Sequence, residues 1–238
     1  MAEAIRINKY LSEAGVCSRR EADRQIEKGA VTINGRTAVM GDKVAPGDLV
    51  VYGGKRVSQE DEAILLAVNK PPGIVCTSEK READNIVDFL GYPKRVYPIG
   101  RLDKTSHGLI LMTNQGELAN QIMRSRNYHE KEYIVKVNKD ISENFLMNIS
   151  SGVYLEELDA TTRPCTVERV GRRAFRIILT QGLNRQIRRM CEQFQYRVMD
   201  LKRVRILNIR LGDLKEGTYR KVEGQELEEL MAQLGLKK

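Results

Sequence analysis

Gly108-Leu109-Ile110-Leu111-Met112-Thr113-Asn114-Gln115-Gly116-Glu117 is an apolar run that ends on an asparagine three positions ahead of a glutamate. The apolar part predicts a strand. Asn114 and Glu117 predict an N-cap and capping box for a helix to about Arg124. Downstream, residues 131–138 alternate, with Tyr133, Val135 and Val137 on one face, and residues 174–180 predict another strand. Asn184 is then expected to cap a helix through Gln195 whose apolar stripe is Ile187, Met190, Cys191 and Phe194. Upstream, the apolar run 64–68 opens this part of the chain. Strands and helices do not alternate strictly, so an α+β fold is expected rather than a doubly wound parallel sheet.

Residues 5–52 read as a separate small unit. Ile7, Leu11 and Ala14 recur at helical spacing, and Ser18 with Glu21 predicts a capped second helix to about Lys28, stopped by Gly29. Asn34-Gly35 between Val31-Thr32-Ile33 and Thr37-Ala38-Val39 is a two-residue hairpin signal. Residues 49–52 follow as a strand. Residues 53–62, polar and Gly-containing, are expected to be a linker between a domain at 1–52 and a larger one at 63–238. The segment 223–234 is expected to be a terminal amphipathic helix.

The chain of 238 residues carries 40 Lys and Arg against 32 Asp and Glu, and the excess is local. Residues 163–210 hold 13 basic and three acidic residues, a net +10, which points to a polyphosphate partner such as nucleic acid. Cys17, Cys76, Cys165 and Cys191 form no C-x-x-C pair and are expected to be reduced. His107 and His129 are too few for a His-rich metal site, and the acidic residues Glu82, Asp84 and Asp88 read as a solvated face. Neither a Walker-type nor a G-x-G-x-x-G phosphate loop is present. No stretch nears the roughly 18 apolar residues of a membrane span, and the first residues lack a basic head followed by an apolar run. A cytoplasmic protein without membrane contact is therefore expected.

Asp103 stands in Gly100-Arg101-Leu102-Asp103-Lys104-Thr105-Ser106-His107, a turn leading into the strand quoted above. A lone aspartate in a turn is most often a cap, but Arg101 and Lys104 close by would hold it ionised, fit to act as base or nucleophile. Arg188 lies at the edge of the apolar stripe of its helix, where it can reach a half-buried carboxylate, while Arg185 and Arg189 fall on the far side. In the N-terminal unit, Arg19 and Arg20 at the start of the second helix make an anion cradle with the helix dipole.

These segments carry a resemblance. Arg6-Ile7-Asn8-Lys9-Tyr10-Leu11, Cys17-Ser18-Arg19-Arg20-Glu21-Ala22 and Gly29-Ala30-Val31-Thr32-Ile33-Asn34-Gly35 resemble the S4 RNA-binding domain. Residues 100–108 resemble the catalytic motif of the pseudouridine synthases. Asn69-Lys70-Pro71-Pro72-Gly73, Glu130-Lys131-Glu132-Tyr133, the segment 181–190 and Leu201-Lys202-Arg203 resemble that family's other motifs, in order. The whole chain is similar to its RsuA/RluB/RluE/RluF branch.

The resemblance implies a small S4-like α/β domain joined to a mixed, mainly antiparallel catalytic domain, and isomerisation of a uridine in structured RNA without any cofactor or metal. It implies Asp103, Tyr133 and Arg188 as catalytic residues, with Tyr133 under the base. Arg101, Leu201, Arg19, Arg20, Lys70, Asn184 and Arg185 are implied as substrate contacts. Partners would be large-subunit ribosomal RNA, with small-subunit ribosomal RNA and transfer RNA left open, or a pre-ribosomal particle, and the protein is expected to be a monomer. A non-catalytic RNA-binding assembly factor is the alternative, to which the basic block and the S4-like unit would be equally suited.

Overall fold

The computed structural model describes residues 4–58, 62–79, 81–124 and 128–236. The chain separates into two compact units. In the first, β1 (Ile5–Arg6) leads into α1 (Ile7–Glu13), and α2 (Arg19–Glu27) follows, with Ser18 Oγ accepting a bond from the Glu21 N–H as its cap. β2 (Val31–Ile33) and β3 (Arg36–Thr37) form the expected hairpin, with Asn34 and Gly35 at φ 51° and 82°. Two positive φ values in succession are what a tight hairpin turn requires, which is why Asn-Gly is legible there.

β4 (Lys43–Val44) pairs with β1, and β5 (Val50–Tyr52) pairs with β2. The expected linker is corrected at its start: Gly53-Gly54, both at positive φ, turn the chain into β6 (Lys55–Arg56), which pairs with β5. Val57 is buried in the same core as Ile7, Leu11, Ala22 and Ile26. Polar, glycine-containing composition here marks a turn rather than a flexible tether. Residues 59–61 of that stretch lie outside the described residues, as do 237–238.

The second unit is built on one mixed sheet. Its elements in order are β7 (Leu65–Lys70), α3 (Ile86–Leu90), β8 (Tyr97–Ile99), β9 (His107–Thr113), α4 (Gly116–Met123), β10 (Lys131–Val137) and α5 (Glu143–Ser150). Then come β11 (Tyr154–Leu155), β12 (Ala160–Thr161), β13 (Thr166–Gly171), β14 (Ala174–Leu179), α6 (Gln186–Gln193), β15 (Val198–Ile206), β16 (Ile209–Arg210), β17 (Tyr219–Lys221) and α7 (Gly224–Gln233). Among the described residues the sheet runs β13-β14-β10-β15-β9-β7-β17, with β16 on β15 and β8 on β9. Its strands pair antiparallel except β15 with β9, so the fold is α+β and mainly antiparallel, as expected.

All six residues of β7 are buried, so this strand is covered on both faces; hence the apolar run 64–68, which ends on the buried polar residues Asn69 and Lys70. On one face Leu65, Ala67, Leu109 and Leu111 pack with Leu118, Ala119 and Ile122 of α4 and Leu230 of α7. Among the described residues no helix is long and apolar enough to cross a membrane.

Two expected caps are corrected. α4 starts at Gly116, and the Asn114 side chain instead accepts from the Ile64 N–H and donates to the Glu62 carbonyl. α6 starts at Gln186 with Arg185 at its N-cap in left-handed conformation, while the Asn184 side chain accepts from Arg189. In both cases a long-range or helix-internal partner takes the amide that local spacing assigned to a cap.

Candidate active site

Pairing across the sheet lines up Ile177, Tyr133, Arg203, Gly108 and Lys70 in one transverse row. Directly paired residues share a face, so Tyr133, Arg203 and Lys70 lie on one side, with no side chain at Gly108 between the two cations. Lys70 is fully buried, and its ammonium donates to the carbonyls of Pro71, Lys104 and Ser106. Arg203, also buried, donates to the carbonyls of Leu109 and Arg101. The loop 100–106 thus rests its backbone acceptors on two buried cations. That satisfies polar groups which no strand partner reaches.

Lys70 was expected to touch substrate; it is sealed beneath the loop and all three of its donors are used. Burial lowers its pKa, and the carboxylates of Asp103 and Glu216 are among the groups that oppose the shift.

Above those cations, Asp103 turns its carboxylate toward α6. The Ser106 N–H donates to the Asp103 carbonyl, closing a turn. Asp103 Oδ2 lies 3.7 Å from Arg188 Nε and 3.7 Å from an Arg185 terminal nitrogen. Its side chain is 32% exposed, so water or a ligand can still reach it. Arg185 was placed on the far side of the helix by periodicity. It reaches Asp103 because its left-handed φ of 51° takes it off the helical path. Arg189, placed on that same side, is instead only 18% exposed and paired with Glu157.

Tyr133 is buried, with the Arg203 guanidinium 6.0 Å from its ring centroid, at the outer limit of a cation–π contact. Leu201, on the same sheet face, pairs with Val135 and is buried as well. Lys131 shares the face of Tyr133 by alternation along β10. Its pKa is pushed down to about 8, first by burial and then by Arg203.

This has a stability consequence. Below about pH 8 the folded state carries the full cost of the half-buried cation. Between about 8 and 10.5 the folded protein releases a proton that the unfolded chain, near 10.5, retains, so stability rises with pH. Lys131→Met is expected to be more stable than wild type at pH 7.5 and to lose this rise. Urea midpoints at pH 7.5 and 9.5 would show it, and an equal rise in both proteins would contradict it.

A model of the RNA pseudouridylate synthase family matches residues 64–193, and one of the S4 domain matches residues 5–50. The chain belongs to the RNA pseudouridylate synthase family. It is 51% identical over 229 residues to the dual-specificity RNA pseudouridine synthase RluF of Escherichia coli K12, covering 95% of this chain and 78% of that protein. It is 32% identical to the ribosomal large subunit pseudouridine synthase B of Bacillus subtilis, covering 95% and 96%. Among solved structures, a pseudouridylate synthase at 27% identity superposes with a TM-score of 0.70 over 95% of this chain and 99% of the other. The protein is accordingly an RNA pseudouridine synthase: it isomerises uridine in RNA, exchanging the C1′–N1 bond for C1′–C5.

The charge of this pseudouridine synthase is distributed differently from what the linear count suggests. Within the basic block, Arg169 pairs with Glu143, Arg172 and Arg173 share Asp140, and Arg205 holds Glu130 and Glu132. Arg176 bridges Glu132 and Glu168. Most of these carboxylates come from outside residues 163–210, so a window count could not register them. Arg197 and Arg210 stay exposed and have no ion pair among the described residues. The same holds for Arg19 and Arg20 at the start of α2, while Arg101 is exposed beside Asp103. Asn184, expected to contact substrate, is exposed but holds Arg189 with both its carbonyls.

Proposed function

We propose that Asp103 is the carboxylate that starts the isomerisation, as nucleophile at C1′ or as base at C2′. The observation that carries this is the convergence of Arg188 and Arg185 on one oxygen of a carboxylate that remains a third exposed. Two cations face the group, and neither is close enough to lock it, since a charge-assisted bond would sit near 2.8 Å. Once the glycosidic bond opens, the detached uracil needs a surface on which to turn. Tyr133 supplies a flat face and Leu201 an apolar wall, so the base is held without hydrogen bonds that would fix its orientation. Arg101, exposed beside Asp103, is the residue we assign to the gap a flipped nucleotide leaves. The product is an isomer, so no electrons or atoms are exchanged with a second reactant.

For substrate we propose large-subunit ribosomal RNA, supported by the name of the Bacillus subtilis relative. The dual specificity named for the Escherichia coli relative supports a second target, for which transfer RNA stays the open alternative. Carbodiimide-adduct primer extension on RNA from cells with and without the gene tests both. A stop lost from ribosomal RNA is expected, and unchanged stops in every RNA would refute the assignment.

Arg19 and Arg20 are proposed to hold phosphates away from the reacting uridine. Replacing both by Ala is expected to weaken RNA binding about tenfold and to lower the salt slope by about one to two. The single-turnover rate should fall much less than affinity. Filter-binding titrations at several salt concentrations would read the slope, and an unaltered slope would remove these residues from the interface.

A further inference from the structure

Arg188 has five N–H donors in a rigid plane, and what each meets is informative. One terminal nitrogen donates to the Val198 carbonyl at 3.3 Å. The other donates to Thr105 Oγ1 and to Ser106 Oγ, both at 3.2 Å. Nε, buried and without a hydrogen-bond partner, is the atom 3.7 Å from Asp103 Oδ2. Both hydroxyls belong to the turn that carries Asp103. Ser106 is fully buried, donates its N–H to the Asp103 carbonyl and gives its own carbonyl to Lys70.

We propose that Thr105 and Ser106 form a hydroxyl latch that holds the Arg188 guanidinium with its Nε edge toward Asp103 and its forked edge turned away. Rigidity of the plane makes this work: fixing both terminal nitrogens fixes the direction of Nε. Without the hydroxyls, the terminal nitrogen that lost two acceptors would find the nearest anion, Asp103 itself. The carboxylate would then be clamped in a short two-point pair and its lone pairs taken from the ribose. The latch keeps the carboxylate beside a cation yet free to move. Thr105 and Ser106 are positioning residues, acting through Arg188 rather than on the nucleotide. The proposal rests on the assignment of Asp103 as the reacting group.

The test uses the full-length protein and a target RNA hairpin, with the single-turnover rate at saturating enzyme measured beside the dissociation constant. Thr105 is exposed, so Thr105→Val, which keeps shape and loses the hydroxyl, leaves folding undisturbed. It should slow the chemical step about 10- to 100-fold, the scale of a misplaced catalytic group, with affinity within about twofold of wild type. Thr105→Ser, which keeps the hydroxyl, should recover most of that loss, and Ser106→Ala should resemble Thr105→Val. In an Arg188→Lys background, Thr105→Val should cost little more, because the group it acts through is gone. A wild-type rate for Thr105→Val, equal losses for Val and Ser, a loss confined to binding, or full additivity with Arg188→Lys would each overturn the latch. Asp103→Asn, run in parallel, separates the two levels. If it is inactive while Thr105→Val is normal, the latch alone fails; if it is fully active, the assignment beneath it fails.

Discussion

Asp103→Asn is expected to abolish pseudouridine formation, lowering the single-turnover rate by about 10⁴-fold or more, while RNA binding persists. The amide matches the carboxylate in shape and still fits between Arg185 and Arg188, so the turn closed by the Ser106 N–H should survive. What it lacks is the charge to attack C1′ or to take a proton from C2′. Affinity should hold or improve slightly, because a negative charge facing a phosphate-rich ligand has been removed. Tritium release from C5-labelled RNA measures the chemistry, and a titration of the same RNA measures binding. Turnover at the wild-type rate would take Asp103 out of the mechanism.

Gly108→Ala should be nearly as damaging through a different cause. A Cβ there would lie 2.3 Å from the Arg203 carbonyl oxygen and 2.9 Å from its nitrogen, with φ already at +96°. Neither backbone atom can yield without parting β9 from β15, which meet at Gly108 and Arg203. The expected cost is on the order of 3 kcal/mol in stability, from overpacking together with an unfavourable backbone region, and at least about 100-fold in turnover as the loop loses its support. Gly182→Ala serves as control, because a Cβ there meets nothing within 4 Å and φ is not strained. Urea denaturation and single-turnover assays on the pair would check this. Equal behaviour of the two variants would mean that the β9–β15 junction does not bear on the site.

What could be read from the chain was local. The Ser18–Glu21 cap, the Asn34-Gly35 hairpin and the stripe of Ile187, Met190 and Cys191 depend on neighbours within a few residues, and the structure has them as expected. The family motifs name Asp103 and Arg188 together, and the structure sets them 3.7 Å apart. Contacts set by sheet order were not legible. Lys70 looks like any other basic residue in a motif, and only the pairing of β7 with β9 places its ammonium under Lys104 and Ser106. Arg203 belongs to the short motif beginning at Leu201, yet its support of Arg101 and Leu109 appears only when β15 lies beside β9. Arg185 escaped because one left-handed residue breaks the periodicity from which its direction was inferred.

The position of β15 also bears on how the molecule is made. The half-sheets β13-β14-β10 and β9-β7-β17 are joined through β15, whose Arg203 meets Gly108 across nearly a hundred residues of chain. During synthesis β7, β9, β10 and β14 all emerge first, leaving β9 and β10 with edges that nothing yet pairs. Until β15 arrives, the Asp103 loop lacks Arg203, and Arg188 lacks the Val198 carbonyl. The arrival of β15 therefore closes both of these edges and completes the catalytic apparatus at once, so a chain cut short before Val198 is both sticky and inert.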